Sequence, residues 1–313
     1  MASAVAAAPG GKPALLLLRS VDATFAAALR ARFRVRDYHA SGAPLPAFLA
    51  AAAAGTDPPR AALVAAGGVA LVDGAFLDAA PSLRCVVTTS AGVEHVDLAE
   101  CRRRGVAVAG AGTLFSVDVA DHAVGLLIDV LRRVSAADRL GGKRVGIIGL
   151  GSIGSLIAKR LEAFGCVISY HSRGPKNSVP YRFFPDVHAL AADSDVLVVA
   201  CALNDATRRI VGRRALDALG ANGVVVNIAR GGNVDEQELV AALREGRIAG
   251  AGLDVFENEP HVPPELMAMD NVVLTAHEAV FTEESTADLR ELMIGNLEAF
   301  FAGKPLLTPV LLP

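Results

Sequence analysis

The sequence predicts an α/β fold built from two doubly wound parallel sheets, and three observations carry that expectation. Short apolar runs alternate with helical stretches along the whole chain, the pattern of parallel strands covered by helices on both faces. A glycine-rich turn, Gly149-Leu150-Gly151-Ser152-Ile153-Gly154, sits near the middle between an apolar run and an amphipathic stretch. Two long apolar helical stretches lie at residues 116–134, between the two sets of strands, and at 283–301, near the C-terminus.

In chain order, the first sheet is expected from strands at residues 14–18, 33–35, 62–65, 85–88 and 106–109. The alanine-rich run at 47–54 resembles low complexity but continues an amphipathic helix that starts at Pro46. The second sheet is expected from strands at 144–148, 167–170, 196–200, 224–228, 251–254 and 272–275. The two long helices should cross between domains, so that the last residues return to the first one. No repeat of fixed period is visible.

A length of 313 residues suits two domains, and 52% hydrophobic with 20% charged residues describes an ordinary soluble chain with ample core. A net charge of −3 offers no electrostatic footprint for nucleic acid or an anionic membrane. Apolar stretches such as 61–72 are too short and too interrupted by glycine to span a bilayer. Cys85, Cys101, Cys166 and Cys201 form no CxxC pair and no Cys/His ligand spacing, so buried reduced thiols are expected, with no metal site and no disulfide framework. Residues 1–11 read as a frayed end without arginine, and Leu311-Leu312-Pro313 does not match a peroxisomal address. The expected compartment is therefore the cytoplasm.

The glycine turn follows Val145-Gly146-Ile147-Ile148, and Ile153, Leu156, Ile157 and Leu161 then recur at helical spacing. Strand, glycines and helix in that order make a dinucleotide site. Gly149 permits the tight turn, Gly151 lets the backbone approach a pyrophosphate, and Gly154 lets helix and strand pack closely, with Ser152 and Ile153 at the helix start. About 20 residues on, where NAD-preferring sites place an acid for the ribose 2′-hydroxyl, the chain has His171-Ser172-Arg173 and then Lys176. With no carboxylate to repel a 2′-phosphate, and Ser172, Arg173 and Lys176 available to bind one, the inference is NADPH/NADP+, with NADH the weaker cofactor.

Reduction of a carbonyl by a hydride needs a group that polarises the carbonyl and a group that supplies a proton. Arg230 follows the fourth strand of the cofactor sheet, Glu259 lies just beyond the fifth and His277 follows the sixth. Taken singly, each has a plainer reading, as a surface ion pair, a loop acid and a helix-capping imidazole. At three successive strand ends, on the edge where open α/β sheets bind ligands, they form a catalytic set. The residues alone leave the Ser90-Ala91-Gly92-Val93-Glu94 segment open between an ordinary turn and a ligand loop.

The glycine turn, Asn227-Ile228-Ala229-Arg230-Gly231, Gly252-Leu253-Asp254-Val255-Phe256-Glu257-Asn258-Glu259-Pro260 and the later His277 resemble the ordered motifs of the D-isomer-specific 2-hydroxyacid dehydrogenases over nearly the whole chain. Within that family, the basic strand tip and the run Ala276-His277-Glu278-Ala279-Val280-Phe281-Thr282-Glu283-Glu284-Ser285 resemble plant NADPH-dependent glyoxylate/hydroxypyruvate reductases. The resemblance implies that His277 is the proton donor, that Glu259 holds its tautomer and raises its pKa, and that Arg230 grips the keto oxygen and carboxylate of a 2-oxo acid. It implies a carboxylate cradle from the backbone N–H groups of Gly92 and Val93. It also places Ile228, Ala229 and Asp254 near the nicotinamide and its ribose, although Asp254 has the alternative of capping the turn that follows it.

Three departures from the family are visible. Residues 133–142 are short where relatives carry an arm to a partner subunit, and the chain has no tryptophan, so a substrate contact from a partner is not carried over. Ala276 stands where proline is usual, and Glu278-Ala279-Val280-Phe281 replaces a small, glycine-rich continuation. Glu94 and His95 occupy positions that vary with substrate class and receive no role.

The expected protein is a D-2-hydroxyacid dehydrogenase of two Rossmann-like doubly wound domains with a cleft between them. Residues 1–108, completed by 287–313, would bind substrate, and 109–286 would bind NADP. It would reduce glyoxylate to glycolate and hydroxypyruvate to D-glycerate as a homodimer, without nucleic acid, membrane or metal. The alternatives are a hydroxyphenylpyruvate-type 2-oxo acid reductase and a nucleotide-sensing protein of the corepressor type. Phosphoglycerate dehydrogenation is disfavoured because the chain ends without a regulatory domain, and formate oxidation because an acid pairs with His277.

Overall fold

The computed structural model describes residues 11–134 and 139–312. The expected frayed end at 1–11 therefore lies outside the described residues except for Gly11, and so does the middle of the short 133–142 segment. The chain divides into two compact units, one within Met1–Phe115 and Glu283–Pro313 and the other Ser116–Thr282.

The first unit contains strands β1 (Ala14–Leu17), β2 (Arg34–Asp37), β3 (Ala61–Val64), β4 (Cys85–Thr88) and β5 (Ala107–Ala109). They form one fully parallel sheet in the order β2-β1-β3-β4-β5. Because side chains alternate across a strand, an apolar run serves two cores at once. Leu16 and Leu18 join Val64, Val86 and Val108 on one face, while Leu15 and Leu17 join Leu63, Cys85 and Val87 on the other. The long helix Glu283–Phe301 covers the second face with Met293, Ile294 and Leu297, so the C-terminal residues do return to this unit. Beyond it, the Val310 N–H donates to the Val108 carbonyl at 2.8 Å.

The second unit contains β6 (Arg144–Ile148), β7 (Val167–His171), β8 (Arg182–Phe183), β9 (Val196–Val199), β10 (Val224–Asn227), β11 (Gly250–Leu253) and β12 (Val272–Leu274). Their order is β12-β11-β10-β9-β6-β7-β8, again all parallel. The chain goes outward from β6 to β7 and β8, then returns to β9 on the other side. That reversal puts the carboxyl end of β6 at the topological switch point, where open sheets leave a crevice for ligands. The helix Ser116–Val134 lies over β10, β11 and β12. A Cβ at Gly252 in β11 would stand 3.2 Å from the Cβ of Leu126 and 3.2 Å from Cγ2 of Val130, so the glycine sets how closely this helix approaches.

Two strands depart from expectation, both at sheet edges. β2 runs Arg34–Asp37 rather than 33–35, with Phe33 instead buried against the core, and β8 has no counterpart in the sequence reading. Edge strands pair on one side only and expose side chains, so neither presents the apolar run by which the others were recognised. The four cysteines are free thiols, three of them buried, and burial pushes Cys85 up to about 12. No helix among the described residues is long and apolar enough to cross a membrane.

Candidate active site

The glycine turn is built as its spacing demands. Gly149 has φ +99°, and a Cβ there would lie 2.7 Å from the Cα and N of Cys201 at the end of the neighbouring strand. A Cβ at Gly154 would collide with the Gly149 carbonyl oxygen, whereas one at Gly151 would meet nothing within 4 Å. Two glycines are thus required by packing, and the third faces open space. Gly151 caps the helix Ser152–Ala163 with no side-chain hydrogen bond, which leaves first-turn N–H groups of Ser152 and Ile153 for an anion.

Beside this turn, the tip of β7 is tied to it through Lys176. The Lys176 ammonium donates to the Leu150 carbonyl, and its backbone N–H donates to the Tyr170 hydroxyl at 2.7 Å. The Ser172 hydroxyl donates to the Gly174 carbonyl at 2.6 Å. The Arg173 guanidinium is exposed and has no hydrogen-bond or ion-pair partner among the described residues. Turn and tip together present cationic and N–H groups with no carboxylate among residues 171–176.

Farther along the same edge, Arg230 stands three residues beyond the end of β10. Asn227 shapes its loop: Oδ1 accepts from the Ala229 N–H at 3.1 Å, and Nδ2 donates to the Arg230 carbonyl at 3.0 Å. Ile228 and Ala229 are buried, and the Ala229 carbonyl accepts from Arg230 Nη1 at 2.7 Å. At Gly231 a Cβ would collide with the carbonyl carbon and oxygen of Phe256, so the loops after β10 and β11 touch through backbone. That contact sets Arg230 beside the loop bearing Glu259.

Glu259 Oε1 accepts from the Phe256 N–H at 3.0 Å, and Oε2 lies 2.8 Å from His277 Nδ1. A carboxylate only accepts, so Nδ1 is the protonated ring nitrogen and Nε2 is the one left to exchange a proton with a ligand. The hydrogen bond that Nδ1–H donates to Glu259 raises the His277 pKa; burial opposes it, the charges of Glu259 and Asp254 add to it, and Arg230 subtracts. Burial alone would raise the Glu259 carboxyl, yet its bonds to His277 and the Phe256 N–H, with the charges of His277 and Arg230, hold it below its ordinary value. The field of Arg230 therefore reaches both groups, and the three predicted residues come together at one sheet edge.

His277 has φ +56°, a left-handed conformation uncommon for a residue with a Cβ and costing on the order of 1–2 kcal/mol. Asp254, 1% exposed, holds it there. Its backbone carbonyl accepts from the His277 N–H at 2.8 Å; its Oδ1 accepts from the Thr275 hydroxyl at 2.6 Å and the Glu278 N–H at 2.8 Å. Its Oδ2 accepts from the Ala279 N–H at 3.3 Å. The acid thus caps the turn that follows β12, not the turn that follows Asp254 itself. His122, whose Nε2 lies 2.9 Å from the Thr275 oxygen, and Thr275 itself were missed.

In the first unit, the Ser90–Glu94 loop follows β4, and the Ser90 hydroxyl oxygen accepts from the Ala66 N–H at 2.9 Å. The N–H groups of Gly92 and Val93 have no acceptor among the described residues. No group of three or more His, Cys, Asp or Glu that could hold a metal ion occurs among the described residues.

Residues 126–279 match the family described as D-isomer specific 2-hydroxyacid dehydrogenase, NAD binding domain. A glyoxylate/hydroxypyruvate reductase of Arabidopsis thaliana is 54% identical over 248 residues, 74% of this chain and 77% of that protein. The chain belongs to the D-isomer-specific 2-hydroxyacid dehydrogenases. A second dehydrogenase of the same kind from Arabidopsis thaliana, also a glyoxylate/hydroxypyruvate reductase, is 48% identical over 255 residues, 76% of this chain and 82% of its own. Among solved dehydrogenases, the NADPH-dependent glyoxylate/hydroxypyruvate reductase of Sinorhizobium meliloti in complex with NADP and malonate aligns with TM-score 0.85 and 32% identity. It covers 96% of this chain and 97% of that one.

Proposed function

We propose that this dehydrogenase reduces small 2-oxo acids with NADPH, converting glyoxylate to glycolate and hydroxypyruvate to D-glycerate. The observation that carries the reading is the 2.8 Å contact between His277 Nδ1 and Glu259 Oε2 within the field of Arg230, on the sheet edge that bears the glycine turn. The relatives named glyoxylate/hydroxypyruvate reductases support the substrate class.

The residues present fit an NADP dinucleotide. Open space at Gly151 and the uncapped helix start receive a pyrophosphate, and Ser172, Arg173 and Lys176 receive a 2′-phosphate, which an acid at that tip would repel. When bound, the cofactor supplies the hydride. Arg230 then polarises the keto oxygen and holds the neighbouring carboxylate, for which a guanidinium offers paired donors. As negative charge develops on that oxygen, the His277 cation donates its Nε2 proton, and Glu259 stabilises the cation until transfer. In the first unit, the N–H groups of Gly92 and Val93, which have no acceptor among the described residues, are read as donors to a carboxylate.

The test is oxidation of NADPH by the purified full chain with glyoxylate, hydroxypyruvate and hydroxyphenylpyruvate, each repeated with NADH. Turnover with the first two, faster with NADPH, is expected; nucleotide binding without turnover on any 2-oxo acid would overturn the reading. The protein is further read as a cytoplasmic homodimer, which sedimentation and cell fractionation test.

A further inference from the structure

The loop that presents His277 is gripped by a helix far from it in sequence. Thr275 lies between β12 and His277, and its hydroxyl proton is committed to Asp254 Oδ1 at 2.6 Å. A hydroxyl has one proton, so at 2.9 Å from His122 Nε2 the same oxygen accepts, and Nε2 is the protonated nitrogen of His122. His122 belongs to the helix Ser116–Val134, which is seated on β10, β11 and β12. One turn earlier, Asp118 Oδ1 of that helix accepts from the Thr282 hydroxyl at 2.8 Å. Residues at i and i+4 share a helix face, so one face holds both ends of the 275–282 segment.

We propose that His122 and Thr275 are positioning residues for the proton donor: His122 orients the Thr275 hydroxyl, Thr275 anchors the Asp254 carboxylate, and Asp254 holds the His277 turn left-handed so that Nδ1 meets Glu259. The inference rests on reading His277 as the donor. The chain of bonds is directional. Removing the His122 donor frees the Thr275 hydroxyl to rotate, and removing the hydroxyl takes from Asp254 its shortest hydrogen bond, leaving the buried acid with the turn's N–H groups and the longer 3.5 Å approach of His122 Nε2 to Oδ1. The His277 ring then loses its fixed approach to Glu259, while the glycine turn, on another strand, is untouched.

The experiment compares Thr275→Val with Thr275→Ser and His122→Leu with His122→Gln in the full chain; Ser keeps the hydroxyl and Gln keeps an N–H near the place of Nε2. Two readouts are taken: steady-state kinetics with glyoxylate and NADPH, and the low-field Nδ1–H proton resonance of His277, identified by its disappearance in His277→Gln. Thr275→Val and His122→Leu should lower kcat about tenfold or more with KM for NADPH within about twofold, and should lose the resonance. Thr275→Ser and His122→Gln should retain both. The double variant Thr275→Val/His122→Leu should be no worse than the poorer single, since both break one chain. A retained resonance in Thr275→Val and His122→Leu overturns the proposal, as does equal damage in the conservative and disruptive variants. A wild-type protein that reduces no 2-oxo acid sinks the functional reading instead, and the resonance still decides the positioning.

Discussion

Gly231 lacks a side chain where the carbonyl of Phe256 would meet one, and this backbone contact brings the Arg230 loop against the loop that carries Glu259. The two charged groups are thus brought together by a missing methyl group. Gly231→Ala forces the loops apart and should destabilise the fold by about 1–3 kcal/mol, the usual cost of overpacking. Because the displacement falls on Arg230 and Glu259, kcat/KM for glyoxylate should fall more than the affinity for NADPH. Urea unfolding and steady-state kinetics on one preparation check both; unchanged stability with unchanged kinetics would refute the contact.

Glu259 and His277 shift one another in opposite directions, and the signs give a pH dependence. His277 is raised above 6.5, first by its bond to Glu259, so its contribution to stability is full below 6.5 and is lost as pH rises through the folded value. Glu259 is held below 4.5, so its contribution is full above 4.5 and is lost as pH falls through its folded value. The pair stabilises most between those two ordinary values, 4.5 and 6.5. In the same way, reduction needs the protonated imidazole, so kcat/KM should fall with rising pH. In Glu259→Gln that fall should begin at lower pH, because the main cause of the raised pKa is gone. A pH-rate profile with the same inflection in both proteins would rule out the coupling.

Much of this arrangement is legible in the residues, for a definite reason. Val224–Asn227 reads as a strand because burial on both faces leaves it nearly uniformly apolar, and Arg230 is then found by counting from its end. Glu259 and His277 follow by the same counting from β11 and β12. What is not legible lacks such a signature: Arg34–Asp37 and Arg182–Phe183 are edge strands that open on an exposed arginine and contain no fully buried residue. Thr275 and His122 are 153 residues apart, and a histidine on an amphipathic helix gives no sign of its partner until the helix is seated on the sheet. Asn227 is similar, since an asparagine at a strand end looks like any turn former until both of its amide atoms are paired.

Arg173 is exposed at the tip of β7 without a partner among the described residues, the state expected of a guanidinium kept for a ligand anion. A charge-assisted hydrogen bond contributes about 1.5–3 kcal/mol, so Arg173→Ala should lower kcat/KM for NADPH by roughly 10- to 100-fold. NADH has no 2′-phosphate, and its kcat/KM should change by less than about twofold. Parallel titrations with the two cofactors check the prediction; equal losses for both would show that Arg173 does not read the phosphate.

The glycine turn makes the sharpest contrast, because its members are required for different reasons. A side chain at Gly151 would enter open space, and its φ of −80° is one that any residue adopts, so Gly151→Val should leave thermal stability nearly unchanged. The same isopropyl group would stand where the pyrophosphate has to approach, and affinity for NADPH should fall by about tenfold or more. Gly154→Ala does the reverse at the level of the fold, since its methyl group collides with the Gly149 carbonyl and separates helix from strand. It should cost about 1–3 kcal/mol of stability whether or not nucleotide is present. Thermal unfolding of both variants, with and without NADPH, distinguishes the two roles: the nucleotide should raise the melting temperature of Gly154→Ala more than that of Gly151→Val. If Gly151→Val instead unfolds early and still binds NADPH tightly, the open face of the turn is not where the phosphates lie.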